Sequence, residues 1–96
     1  MCPQAYKLVR VLVSGRVQGV GFRYFTYESA LQFGITGWVR NRPDRRVEIL
    51  ASGTEENLKR FLNEIHKGPS ASQVESVEVS DAPPTREYPS FEIKLF

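Results

Sequence analysis

Residues 7–34 read KLVRVLVSGRVQGVGFRYFTYESALQFG, and the hydrophobic period of this stretch changes along its length. Over residues 7–14 valines alternate with leucine, arginine and serine, and this period of two predicts a strand that is partly apolar on both faces. From residue 22 the pattern has helical spacing and ends at Gly34, which predicts a helix over residues 22–33. The helical positions are Phe22, Phe25, Ser29, Ala30 and Phe33. This stretch therefore predicts a strand and a helix joined by a glycine-rich turn.

The rest of the chain alternates in the same way. Strands are predicted over residues 35–41, 46–52 and 74–80, and a last short strand places Phe91, Ile93 and Leu95 on one face. A second helix is predicted to begin at the N-cap Thr54 and to end at Gly68. The order β-α-β-β-α-β with a terminal strand predicts an α+β, ferredoxin-like split β-α-β sandwich. We expect an antiparallel sheet of order 4-1-3-2 with the fifth strand at an edge and both helices on one face.

Length and composition exclude several classes of protein. The 96 residues contain 13 Lys plus Arg and 11 Asp plus Glu, which gives a net charge of +2. One Cys and one His cannot form an internal disulfide or a thiolate and imidazole zinc site. No apolar run has the length of a membrane helix or a secretory signal. We expect one domain over residues 1–96, a cytoplasmic location, and no metal or cofactor.

The predicted topology places two segments at one edge of the sheet. The first two strands run parallel with the third between them, so the glycine-rich turn and Asn41 lie roughly 10 Å apart. The turn leads into a helix N-terminus, where unpaired N–H groups favour anions. Arg23 lies in the first turn of this helix, and its planar guanidinium can donate two parallel hydrogen bonds to a phosphate. Taken alone, a glycine-rich turn more often closes a β-α unit without a ligand. Its spacing also fits neither the P-loop nor the GxGxxG pattern.

The sequence around this edge resembles the acylphosphatase family. The resemblance rests on SGRVQGVGFR at 14–23, ITGWVRN at 35–41 and the hairpin into RVEILASG at 46–53. It implies hydrolysis of the carboxyl-phosphate anhydride to carboxylate and inorganic phosphate, without a metal or a covalent intermediate. It also implies that Arg23 binds the phosphate with the loop N–H groups, and that Asn41 positions the attacking water. The implied partners are a small acyl phosphate and the phosphate product, with no nucleic acid, no membrane and a monomeric chain.

The phosphate-binding loop that the resemblance implies comprises Gly15, Arg16, Val17, Gln18, Gly19, Val20, Gly21 and Phe22. We expect Gln18 and Val20 to contribute backbone N–H groups rather than side chains, and Phe22 to pack beneath the loop. One departure concerns the hairpin tip, where the family often has Asp-Gly and this chain has Asp44-Arg45. Either the turn type differs or Arg45 accepts backbone strain.

The chemistry of an acyl phosphate fits the scarcity of catalytic groups. Its carboxylate leaving group is a weak base, so positioning and charge stabilisation meet most of the catalytic requirement. The amide of Asn41 does not titrate, but its oxygen can accept a hydrogen bond from water. A substrate phosphate oxygen is a hypothetical acceptor for the proton of that water.

Two other function classes share this element order. RNA-binding modules stack bases on aromatic residues of their central strands, and the first and third strands here carry none. Small-molecule regulatory domains of this fold usually lie inside longer chains. Arg40, Arg42, Arg45 and Arg46 fall within seven positions, either as a local positive field or as an accident of a solvated surface. We expect no catalytic role for His66 or for Cys2 near the terminus, and we expect Trp38 to pack against another element.

Overall fold

The computed structural model describes residues 6–83 and 88–95, which form seven elements in the predicted order. The elements are β1 (Tyr6–Arg16), α1 (Phe22–Phe33), β2 (Thr36–Asn41), β3 (Val47–Thr54), α2 (Glu55–Lys67), β4 (Gln73–Asp81) and β5 (Phe91–Ile93). Cys2 and part of the predicted loop between the last two strands lie outside the described residues. The single domain over residues 1–96 stays a prediction. None of the described helices is long and apolar enough to cross a membrane.

The five strands form one sheet of order β4-β1-β3-β2-β5. Four strands pair antiparallel in the order 4-1-3-2, but β5 pairs parallel with β2, so the expected antiparallel sheet is mixed at this edge. Three successive antiparallel pairings make β4 run opposite to β2, so a β5 strand that reverses the direction of β4 is parallel to β2. The last strand is also shorter than predicted: Leu95 lies beyond it and is 81% exposed.

The core fills one face of this sheet. Val11, Ile49 and Val39 occupy one register row across β1, β3 and β2, and all three are fully buried. Phe22 of α1 and Phe61 of α2 belong to the same buried cluster. The predicted ferredoxin-like sandwich with both helices on one face is therefore confirmed.

The helix α1 has the predicted bounds, and its predicted positions face the core, with Phe22 buried and Phe25 and Phe33 packed against the core cluster. Ser29 and Ala30 are buried as expected, whereas Phe25 and Phe33 are only partly buried. Thr26, which the hydrophobic pattern did not select, is fully buried, and its hydroxyl donates to the carbonyl of Phe22 at 2.9 Å. A hydroxyl satisfied within its own helix can enter the core at little cost, so the pattern of apolar residues alone missed it.

The helix α2 begins and ends as the sequence predicts. The Thr54 hydroxyl accepts a hydrogen bond from the Asn57 N–H at 3.2 Å, which satisfies one of the free donors of the first turn. Glu55 and Glu56 lie in the first turn and Lys67 in the last, as the helix dipole favours.

The β2–β3 hairpin resolves the two alternatives left open for its tip. Arg45 has φ 73°, so this residue takes the left-handed conformation and accepts the strain. The Asp44 carboxylate accepts from the Arg46 backbone N–H at 3.1 Å and from its guanidinium at 2.8 Å. The Arg46 side chain, its N–H and Arg42 hold the pKa of Asp44 well below its usual range. The Asp44 carboxylate therefore stabilises the hairpin tip through its hydrogen bonds with Arg46.

Replacing Arg45 by glycine should stabilise the protein. Glycine adopts positive φ without the steric penalty of a Cβ, so we expect Arg45→Gly to raise the free energy of unfolding by about 1 kcal/mol. Urea denaturation measures this, with Arg45→Ala as the matched control because alanine keeps the Cβ. A glycine variant no more stable than the alanine variant would contradict the strain.

Candidate active site

The turn between β1 and α1 has the shape of an anion site. Gly19 and Gly21 have φ of 74° and 79°, a left-handed conformation that favours glycine at both positions. Gly21 is also the N-cap of α1, where no side-chain cap hydrogen bond is made and no acidic residue lies in the first turn. The first N–H groups of the helix therefore have no side-chain cap at Gly21, which leaves them available to an anion.

Gly15 fixes the entry to this turn. The register between β1 and β4 shifts between Ser14 and Gly15, which marks a bulge. A Cβ at Gly15 would collide with the carbonyl oxygen of Gln73 and would lie 2.8 Å from the Glu75 nitrogen. Only glycine lets the end of β1 pass this close to β4, so its role is to shape the chain before the turn.

Arg23 lies in the first turn of α1 and is oriented by the C-terminal part of the chain. Its guanidinium donates to the carbonyl of Lys94 at 3.2 Å. Among the described residues it has no carboxylate partner, and its charge is left uncompensated at the helix N-terminus. The residue is thus placed for an anionic ligand.

Asn41 ends β2 with an unusual side chain. Its Oδ1 is buried and has no hydrogen-bond partner within the described part of the chain. A buried acceptor without a donor costs about 1–3 kcal/mol, so such groups generally have a functional or solvent partner. An O–H donor from a water or a ligand would satisfy this oxygen.

A cavity of about 230 Å³ brings these groups together. Arg23 and Asn41 share it with Val17, Gly19, Gly21 and Phe22, as predicted for the site. Tyr24, Ile93 and Leu95 also line it, and the sequence analysis did not select them for the site. Leu95 and Ile93 reach it because β5 pairs with β2, which the sequence did not reveal. Of the other predicted loop residues, Val20 packs against the core cluster, and Gly15, Arg16 and Gln18 line a separate cavity.

The side chain of Gln18 has a structural role that the sequence analysis did not anticipate. Its amide donates to the carbonyl oxygens of Arg42 at 2.8 Å and of Arg46 at 2.9 Å. These two carbonyls stand on either side of the hairpin, so one side chain joins the glycine-rich turn to the hairpin that follows Asn41. The glutamine was expected to act through its backbone, and its side chain was missed because both partners are distant in sequence.

Carboxylates neutralise most of the arginine cluster. Glu48 has a side chain only 3% exposed, and it pairs with Arg40 at 2.7 Å, Arg10 at 3.2 Å and Arg42 at 3.4 Å. A buried carboxylate requires such partners. Arg46 pairs with Asp44, so Arg45 is the member of the 40–46 group without a carboxylate partner among the described residues.

Other residues singled out in the sequence lie outside the site. His66 is exposed at the end of α2, and its Nδ1 lies 2.8 Å from the Leu62 carbonyl oxygen. Trp38 is half-buried and packs against side chains, with Lys94 at 4.8 Å and Arg40 at 5.4 Å from its ring. Within residues 6–83 and 88–95, no group of His, Cys, Asp and Glu could hold a metal ion.

Comparison with known proteins gives a consistent result. A family model described as Acylphosphatase matches residues 9–93. The chain is 55% identical over 85 residues to an acylphosphatase of Koribacter versatilis, covering 88% of this chain and 77% of that protein. It is 47% identical over 90 residues to an acylphosphatase of Thermotoga maritima, covering 94% and 99%. The crystal structure of acylphosphatase from Bacillus subtilis has a TM-score of 0.89 at 40% identity, covering 94% of this chain and 99% of that one. An acylphosphatase from Coxiella burnetii has a TM-score of 0.87 at 29% identity, covering 93% of each chain.

The bridge formed by Gln18 should be measurable as stability. In Gln18→Glu a carboxylate of the same shape faces two carbonyl oxygens, so we expect the free energy of unfolding at pH 7 to fall by about 2 kcal/mol. In Gln18→Leu the hydrogen bonds are lost without repulsion, and a loss of about 1 kcal/mol is expected. Urea denaturation of both variants measures the difference, and equal stability of Gln18→Glu and the wild type would refute the bridge.

Proposed function

The chain belongs to the acylphosphatase family, and from this premise we propose that Arg23 and Asn41 are its catalytic residues. The protein hydrolyses acyl phosphates, the reaction of its family, to carboxylate and inorganic phosphate. The observation that carries the residue assignment is the single cavity lined by Arg23, Asn41 and the glycines of the turn. The proposal also holds that hydrolysis needs no metal and forms no covalent intermediate.

Arg23 and the turn bind the phosphoryl group in this proposal. The guanidinium offers two parallel N–H donors, and the open N–H groups at the start of α1 offer the positive end of a helix dipole. Both fit the charge that spreads over the phosphoryl oxygens during transfer. The hydrogen bond from Arg23 to the Lys94 carbonyl holds the Arg23 guanidinium toward the cavity before substrate binds.

Asn41 orients the attacking water. Its buried Oδ1 accepts one O–H of the water, and this leaves an oxygen lone pair free to approach phosphorus on the side opposite the leaving carboxylate. The P–O bond to the carboxylate breaks as the bond to the water oxygen forms. The remaining proton passes to a phosphoryl oxygen, so the products are carboxylate and inorganic phosphate.

The lining supplies support for a mechanism without a strong base. Among the described residues that line the cavity, the titratable side chains are Arg23 and Tyr24, and there is no carboxylate, imidazole or thiol. A carboxylate leaving group departs without protonation, so positioning and charge stabilisation suffice. One neutral amide oxygen, that of Asn41, beside the Arg23 guanidinium disfavours a divalent cation, which prefers several oxygen ligands and negative charge.

Several finer expectations remain predictions. They are the monomeric state, the cytoplasmic location and the absence of nucleic-acid partners. The rim residues Tyr24 and Leu95 are 60% and 81% exposed, so the cavity is open to solvent on that side.

Removal of the Arg23 charge should nearly abolish hydrolysis. For Arg23→Gln we expect kcat/KM with benzoyl phosphate to fall by roughly 10³-fold, the range found for arginines that stabilise phosphoryl transfer. Inhibition by inorganic phosphate should weaken in parallel. Arg60→Gln is the matched control, because Arg60 lies on α2 and pairs with Glu56 at 2.9 Å. Full activity of a folded Arg23→Gln variant would eliminate the phosphate-binding assignment.

Asn41→Ala should separate water positioning from phosphate binding. We expect kcat to fall by about 100-fold, comparable to loss of one preorganised polar group, while inhibition by inorganic phosphate stays near the wild-type value. Steady-state kinetics with benzoyl phosphate, with phosphate as inhibitor, measures both quantities. An equal loss of phosphate affinity would make Asn41 a binding residue instead.

Chelation tests the metal-free part of the proposal. We expect activity after dialysis against EDTA to equal that of the untreated protein, since the lining residues that the structure describes include no carboxylate, imidazole or thiolate for a metal. A loss of activity that added Mg²⁺ or Zn²⁺ restores would show that a metal takes part.

A further inference from the structure

A second cavity adjoins the candidate active site. It has a volume of about 580 Å³ and is lined by Gly15, Arg16, Val17, Gln18, Arg45 and Glu75. Val17 is among the lining residues of both cavities, so the two are neighbours at the start of the turn. A group attached to a bound acyl phosphate therefore has a neighbouring space to enter.

The arginines of this second cavity differ from most others in the chain. Five described arginines have a carboxylate partner within 4 Å: Arg10, Arg40, Arg42, Arg46 and Arg60. Over residues 6–83 and 88–95, three have none, and these are Arg23, Arg16 and Arg45. One of the three lines the candidate active site and the other two line the adjoining cavity. Uncompensated positive charge is thus concentrated around the turn.

The backbone holds Arg45 at this position despite its conformational cost. Arg45 keeps φ at 73°, where a side chain is disfavoured by about 1–2 kcal/mol. The Gln18 amide binds the carbonyls of Arg42 and Arg46, which flank the tip on both sides. The tip is therefore fixed against the turn, and strained residues of this kind cluster at functional sites.

We propose that Arg16 and Arg45 form a second anion subsite, which selects acyl phosphates whose acyl group carries a further carboxylate or phosphate. The inference rests on the proposed function of the adjoining cavity and names the substrate class for it. Arg23 and the turn bind the reacting phosphoryl group, and the second anionic group contacts Arg16 and Arg45 in the adjoining cavity. Charge and position together give the enzyme a preference for doubly anionic substrates.

Glu75 sets the strength of this preference. It is the carboxylate that lines the cavity, it is exposed on β4, and it has no ion-pair partner in the described part of the chain. Its charge opposes an incoming anion and lowers the local positive potential. Neutralising Glu75 must therefore act in the opposite direction to neutralising either arginine.

The test compares substrates that differ only in the second charge. We would measure kcat/KM for benzoyl phosphate, 3-carboxybenzoyl phosphate and 3-phosphonobenzoyl phosphate, and take the ratio of each charged substrate to benzoyl phosphate. In the wild type we expect both ratios to exceed one and to fall as salt is added, because exposed charges are screened. A larger ratio for the phosphonate assigns the subsite to phosphate groups, and a larger ratio for the carboxylate assigns it to carboxylates.

Variants of the lining residues should change these ratios of kcat/KM in defined directions. Arg45→Ala, Arg45→Gly and Arg16→Gln should each lower the ratios about two- to fivefold, the range of a solvent-exposed ion pair. Glu75→Gln should raise them about twofold, and Arg60→Gln should leave them unchanged. Arg45→Gly is expected to be more stable than Arg45→Ala, so a loss of selectivity that both variants share cannot come from unfolding.

The outcomes distinguish a failure of the anion subsite from a failure of the proposed function. Ratios that stay the same in the Arg16 and Arg45 variants, or that fall in Glu75→Gln, would overturn the subsite while hydrolysis of benzoyl phosphate still upheld the proposed function. A wild-type protein that hydrolyses none of the three substrates would overturn the proposed function and the subsite with it.

Discussion

The carboxamide of Gln18 joins two parts of the chain on which the site depends. One part is the turn after β1, which carries the open N–H groups and leads to Arg23. The other is the β2–β3 hairpin, which follows Asn41. The amide donates to carbonyls on both arms of that hairpin at 2.8 and 2.9 Å. Since a phosphoryl group and an attacking water must be held in line, the relative position of these two parts determines whether the site can act.

The electrostatic field around the site depends on which arginines are paired with carboxylates, more than on how many arginines there are. Buried Glu48 gathers Arg10, Arg40 and Arg42, and Asp44 binds Arg46 across the hairpin tip. The cluster of arginines at 40–46 is therefore mostly neutralised. Uncompensated guanidinium groups remain around the turn, where an anion would bind. A modest net charge of +2 thus conceals a local concentration of positive charge.

The C-terminal part of the chain completes the site although it contributes little regular structure. The three residues of β5 pair with β2, and the next residue, Lys94, accepts the hydrogen bond from Arg23. Lys94 also lies over the Trp38 ring on β2. The orientation of Arg23 therefore depends on a segment 71 residues away in sequence. A site made of one arginine, one asparagine and backbone N–H groups suits a bond that is already activated.

The resemblance to the acylphosphatase family singled out Arg23 and Asn41, whereas the sequence by itself determined the elements and the ferredoxin-like class. These follow from local physics: strand and helix periods, the Thr54 cap, and a glycine-rich turn placed before a helix N-terminus. Only the tertiary structure decided the parallel pairing of β5, the burial of Glu48, the bridge from Gln18 and the exposure of Leu95. Each of these depends on contacts between residues far apart in the chain, and the partners of Gln18 lie 24 and 28 residues away. The conformation of Arg45 was predicted only in part. The sequence indicated an unusual turn at Asp44-Arg45, and the fold determined that Arg45 accepts the backbone strain.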